Sequence, residues 1–294
     1  MDIFLLSLFL PLWWIQAAAG HGFVHNVVIG GQSYPGWNPF SDPFNNPPPR
    51  IVRKIVNDGF VSAGDADLAC HHHGDEGTDA IAEVPAGSEV TFEWVYWPGD
   101  HQGPVSTYMA SCEGDCATFS ANSARWFKLD AAGYFPEDRQ WAADKLRADG
   151  TSWTSVIPAN LAPGEYLIRN EIIALHSITP QFYPSCAQIK VTGNGSGYPS
   201  SSEMMTMQEI YDSVNWPNIY LSSSSDLESF VVPGPDPARL DGTAPPPPTR
   251  TRTRSTTRAA PTGETTHTPS ATAPASQRCF LSSRRLVRRK IDQL

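Results

Sequence analysis

The stretch Val90–Trp97, VTFEWVYW, decides the fold: Phe92, Trp94 and Tyr96 alternate with Thr91, Glu93 and Val95. A two-residue period puts successive side chains on opposite faces of a strand, one toward a core and one partly wet. Other runs rich in Val, Ile and aromatics recur: GFVHNVVIG (22–30), VSTYMASC (105–112), RWFKL (125–129), SWTSVIP (152–158), GEYLIRNEIIAL (164–175) and CAQIKVTG (186–193). Gly, Pro, Asp or Asn bounds each one, as turns bound strands. Many short strands so spaced predict an all-β chain, an antiparallel β-sandwich with long loops. Two short helices are expected, over EDRQWAADKLRAD (137–149) and SSEMMTMQEIYD (201–212), the second opened by a Ser cap.

Upstream, Ile3–Ile15 is a thirteen-residue uncharged run, the length of a signal-peptide core and too short to span a bilayer. Ala18 and Gly20 occupy the small-residue positions before a cut, so residues 1–20 read as a signal peptide and His21 becomes the first residue of a secreted chain. An oxidising compartment suits the cysteines. Cys70, Cys112, Cys116 and Cys186 allow three pairings, and the close spacing of Cys112 and Cys116 favours a small loop beside a long Cys70 to Cys186 bridge; Cys279 is left over. Residues 21–242 read as one domain. Residues 243–294 read as a Pro/Thr/Ser-rich disordered linker and basic tail, too poor in cysteine for a disulfide-stapled carbohydrate-binding module. The domain carries 27 acidic against 11 basic side chains, and the tail 10 basic against 2 acidic. So acidic a domain will not hold nucleic acid by neutralising phosphates, and an uncharged polymer or small molecule is the natural partner.

A mature N-terminal histidine offers an α-amino group and an imidazole on one residue. The amine's reference pKa of about 7.7 lets a metal displace its proton far more easily than lysine's. Three nitrogen donors suit copper, so one more histidine is required. His25 shares a strand with His21; His71, His72 and His73 stand together in CHHHGD; His101 lies in the strand-end loop WPGDHQGPV; His176 and His267 complete the set. In the Pro/Gly-dense loop YPGWNPFSDPFNNPPP (34–49), Trp37, Phe40 and Phe44 either pin the loop to the core or face a ligand.

Taken together, His21 after the signal, WPGDHQGPV, GEYLIRNEIIALHS, QFYPSC and SFVVPGP resemble the fungal cellulose-active lytic polysaccharide monooxygenases of auxiliary activity family nine, formerly glycoside hydrolase family sixty-one. The resemblance runs from His21 to about Pro235. It implies an immunoglobulin/fibronectin-like sandwich and one copper ion. His21 would give copper its amine and a ring nitrogen, His101 a third nitrogen, and Tyr183 would stand at the axial position. His176 and Gln181 match the pair that hydrogen-bonds the oxidant, although only five positions separate them where the family carries a longer loop. The bridges Cys70 to Cys186 and Cys112 to Cys116 match as well. Trp37, Phe40, Phe44, Tyr220 and Phe230 match surface aromatics of a sugar-binding face, and Asn194 in NGS is a glycosylation acceptor pattern. The implied activity is secreted, extracellular oxidative cleavage of cellulose or a related β-1,4-glucan at C1 or C4, driven by oxygen or hydrogen peroxide and an external electron donor. The expected form is a monomer without membrane or nucleic-acid partners. Two rival readings are a paired-carboxylate hydrolase, which needs neither copper nor reductant, and a non-catalytic copper- or polysaccharide-binding module that keeps the brace.

Overall fold

A computed structural model describes residues 21–244; the signal segment expected over 1–20, and the tail beyond Ala244 with Cys279 and His267, lie outside the described residues. One sheet has four strands in the order β2 (Gln32–Pro35), β1 (Val24–Ile29), β4 (Glu89–Trp94) and β9 (Ser152–Val156). The other has five, in the order β3 (Ala82–Pro85), β11 (Gln181–Thr192), β10 (Gly164–Ala174), β5 (Val105–Ser111) and β6 (Phe127–Ala132), while β7 (Tyr134–Phe135) and β8 (Gln140–Trp141) pair as a separate ribbon. All pairs are antiparallel except β3 with β11, which run parallel. The sandwich is therefore the expected one, with one parallel edge. Among the described residues no helix is long and apolar enough to cross a membrane.

Between the sheets, Val27, Val90, Phe92 and Trp94 meet Met109, Ile168, Ile172 and Ile189 in one buried cluster. The alternation of VTFEWVYW ends at Trp94: its backbone N–H turns to Thr151 O, Val95 and Tyr96 are exposed, and the next buried ring is Trp97. β4 thus stops two residues before the period suggests, and the chain leaves as a loop. GEYLIRNEIIAL instead is buried on both faces, because a second cluster of Trp126, Trp141, Tyr108, Leu167, Ile173, Phe182 and Tyr211 covers the outside of its sheet. A strand covered on both sides loses the polar alternation of a half-wet one.

Charge is nevertheless buried there. Arg169 and Glu171 are fully buried and paired, Tyr211 donates its hydroxyl to Glu171, and Arg169 Nε reaches Ala69 O at 2.6 Å. Tyr211 comes from α3 (Met207–Tyr211), within the second expected helix; the first is trimmed to α2 (Ala142–Ala148), and a single turn, α1 (Asp42–Asn45), lies in the Pro-rich loop. A 3-10 turn over Ser201–Glu203 takes the start of the second.

The strand read as CAQIKVTG begins five residues earlier, at Gln181. Pro184 masks this part of β11. Phe182 and Gln188 donate their N–H groups outward to Val61 O and Ile51 O, so the missing donor of Pro184 falls on that same edge, where no sheet partner needs it. Both bridges form as expected, Cys70 to Cys186 and Cys112 to Cys116. The first ties the CHHHGD loop to β11. Beyond Leu240 the chain returns to pair Gly242–Thr243 with Gly197–Tyr198, one residue past the expected domain end.

Candidate metal centre

His21 lies just ahead of β1, held by how closely the backbone runs beside it. A Cβ on Gly22 would stand 1.8 Å from Tyr96 O, so only glycine lets the N-terminal segment lie against the loop that follows β4. That loop is fixed at both ends. Trp97, 1% exposed, donates its indole N–H to His101 O at 2.8 Å. Leu175 N–H and Ile173 N–H bond to Gln102 O and Pro104 O, welding the far end onto β10.

His101 is thereby brought to His21, with ring centroids 5.1 Å apart. Tyr183, on β11 opposite Ile172 of β10, stacks on His21 at 5.5 Å and lies 6.3 Å from His101. Trp97 closes the base, its ring edge-on to Tyr183 at 5.0 Å. His176 lies against His101 at 4.0 Å. Tyr183 donates its hydroxyl to Gln181 Oε1 at 2.8 Å, and Gln181 Nε2 donates to Ser177 Oγ at 3.1 Å. Short as it is, the loop from His176 to Gln181 therefore returns both side chains to the same end. Asn218 braces it from outside, donating to Ser177 O at 2.7 Å while its side-chain oxygen accepts from Tyr220 N–H at 2.9 Å.

Burial dominates the electrostatics here. It lowers the pKa of His21 and of His176, each helped by the neighbouring His101. It raises that of Tyr183, with Asp58 and Asp100 adding to the effect. Near neutral pH the rings are uncharged imidazoles and a phenol, the state in which nitrogen can bind a metal. His101 Nδ1 sits 2.9 Å from Asp100 Oδ1, while its Nε2 is buried with no hydrogen-bond partner. A buried, unpartnered ring nitrogen beside a second histidine offers nitrogen donors of the kind copper prefers, so the residues present fit a copper ion.

A model of Auxiliary Activity family 9 (formerly GH61) matches residues 21–229, beginning at His21. The chain belongs to this family. The AA9 family lytic polysaccharide monooxygenase A of Gloeophyllum trabeum (strain ATCC 11539 / FP-39264 / Madison 617) is 40% identical over 242 residues, 77% of this chain and 75% of that one. The AA9 enzyme A of Penicillium parvum is 37% identical over 230 residues, 74% of this chain and 90% of its own. The crystal structure of a cellulose-active polysaccharide monooxygenase from M. thermophila superposes with a TM-score of 0.66 at 35% identity, covering 74% of this chain and 98% of that one. Family 9 proteins are lytic polysaccharide monooxygenases, which are copper enzymes.

Around the ring cluster of this family 9 chain the predicted aromatics separate. Phe40 and Phe44 are exposed, Phe40 lying 6.1 Å from Phe23, and Tyr220 is exposed on the turn held by Asn218. Two other predicted contacts are packed against protein. Trp37 donates its N–H to Ile55 O at 3.1 Å, stands under Lys54, and lines a separate cleft of about 990 Å³ with Asp42 and Arg50. Phe230 is half-buried between Trp141 and Trp216, so packing holds it. Sequence reasoning missed Phe60, exposed at 6.4 Å from Tyr183, and Ile178, 95% exposed on the short loop. Neither lies in a motif. Asn194 is exposed on its turn.

Among the described residues the other histidines do not join the cluster. His25 sits exposed at the irregularity between Val24 and Asn26. The three in CHHHGD diverge: His71 points inward to Gly59 O at 2.8 Å, His72 lies between Asp67 (3.1 Å) and Asp65 (3.7 Å), and His73 lines the Trp37 cleft.

Proposed function

We propose that this family 9 chain is secreted after cleavage behind Gly20 and oxidatively cleaves cellulose or a related β-1,4-glucan at C1 or C4. The observation that carries the reading is the convergence of His21, His101 and Tyr183 around the bare Nε2 of His101. Copper, when bound, would supply the redox chemistry that activates oxygen or hydrogen peroxide. The new amino terminus and ring of His21, with His101 Nε2, would hold it, and the Tyr183 hydroxyl, bonded to Gln181, would stand beside them. His176 and Gln181 orient the oxidant by hydrogen bonds. Phe40, Phe60, Ile178 and Tyr220 offer apolar surface to a flat polymer and exclude water.

A sugar C–H, dioxygen, two electrons from an outside donor and two protons give C–OH and water; with hydrogen peroxide the C–H becomes C–OH and one water leaves. The hydroxylated carbon then expels the neighbouring sugar. The cellulose-active relative from M. thermophila supports the substrate class. A monomer and N-glycosylation at Asn194 complete the proposal, as does a tail beyond residue 242 that acts as a linker.

The test is incubation of the copper-loaded, secreted protein with cellulose and ascorbate, followed by mass spectrometry of soluble products. Oligosaccharides carrying an added oxygen at C1 or C4 are expected. Unmodified oligosaccharides released without copper or reductant would replace the reading with hydrolysis, and no release from any glucan would leave a binding module.

A further inference from the structure

We propose that Asp100 is a positioning residue for the metal: it accepts the Nδ1 proton of His101 and so turns the lone pair of Nε2 toward copper. The inference rests on the copper reading above.

A neutral imidazole carries one proton, on Nδ1 or on Nε2. Nδ1 lies 2.9 Å from Asp100 Oδ1, and an ionised carboxylate can only accept, so the proton is on Nδ1. Nε2 is then a bare acceptor, and it is the buried nitrogen with no partner. The opposite tautomer would break the Asp100 bond and leave an unsatisfied donor in the same buried place, so both ends of the ring select one state.

The other contacts do not select it. Trp97 holds the backbone oxygen of His101, not its ring, and meets the ring edge-on at 5.9 Å; His176 meets it at 4.0 Å between centroids. Among the described residues no side-chain carboxylate bonds the ring of His21 or His176. Asp100 itself is 62% exposed on its side chain, so water screens its charge and leaves the directional bond as its main effect. Outer partners of this kind orient the ligand and strengthen its nitrogen donor, and their removal costs metal affinity about 10- to 100-fold.

The experiment compares mature parent, Asp100→Ala, Asp100→Ser and Asp100→Asn by copper(II) titration calorimetry, electron paramagnetic resonance and the copper(II)/copper(I) midpoint potential. Ala and Ser should weaken copper(II) binding about 10- to 100-fold, alter the resonance parameters and shift the potential positively. Asn keeps an accepting oxygen and should recover part of the affinity. The copper-free variants should unfold at the parent's temperature, since the side chain is exposed. Parent-like affinity and spectra in both Ala and Ser would overturn the role of Asp100 while leaving the copper site standing. A parent that binds no copper would remove both.

Discussion

Two histidine-rich places in this chain behave in opposite ways. His71, His72 and His73 are consecutive yet point to a backbone oxygen, to two aspartates and into a cleft. His21 and His101 are far apart in sequence yet meet at 5.1 Å because a glycine-hugged N-terminal segment and a Trp97-pinned loop end at the same edge of the sandwich. Adjacency in sequence thus makes no ligand set; backbone direction does. In CHHHGD the positive φ angles of His71 (72°) and His73 (68°) turn neighbouring side chains apart.

The sharpest way to break this contrast is to remove one histidine from each place. His101→Ala should abolish tight one-to-one copper binding, a loss of at least about 100-fold in affinity, whereas His72→Ala should leave the calorimetric titration unchanged. Next in size is the foundation under the metal end. Glu171→Ala strands the fully buried Arg169 charge on β10, the strand whose Ile172 pairs with Tyr183, and should cost about 3–5 kcal/mol in urea unfolding. Gly22→Ala forces a Cβ against Tyr96 O; overpacking of this kind costs about 1–3 kcal/mol, and copper affinity should fall with it.

The smallest effect belongs to the non-converging tract. Burial lowers the pKa of His71 from 6.5, so the unfolded chain binds its proton first as pH falls. Its contribution is fully present above about pH 6.5 and is lost below it, toward the lowered folded-state value. Thermal unfolding of the copper-free protein between pH 8 and pH 5 should show this slope, and His71→Gln should reduce it.

The same contrast explains what was legible in the sequence. Strand periodicity read the sandwich well where one face is wet, as in β1 and β4, and misjudged the end of VTFEWVYW because Val95 and Tyr96 continue the pattern after the ladder has stopped. It missed the start of β11 because Pro184 looks like a breaker, although its absent donor faces an edge that does not need one. The expected cleavage pattern drew attention to His21. His101 alone looked like a loop histidine until a resemblance across several motifs singled it out. Asp100, Asn218, Phe60 and Ile178 were not legible: a hydrogen bond to a ring nitrogen, a latch between two turns and an exposed apolar side chain carry no spacing signal. The motif position of Phe230 likewise does not reveal that Trp141 and Trp216 pack against it.

The central claim is that proteolysis creates the metal site by freeing the amine of His21. The direct measurement is copper(II) titration calorimetry on two forms of the domain, one beginning at His21 and one retaining Gly20 ahead of it. Tight binding of one copper ion by the first and weak binding by the second is the predicted result; equal affinity in the two forms would contradict it.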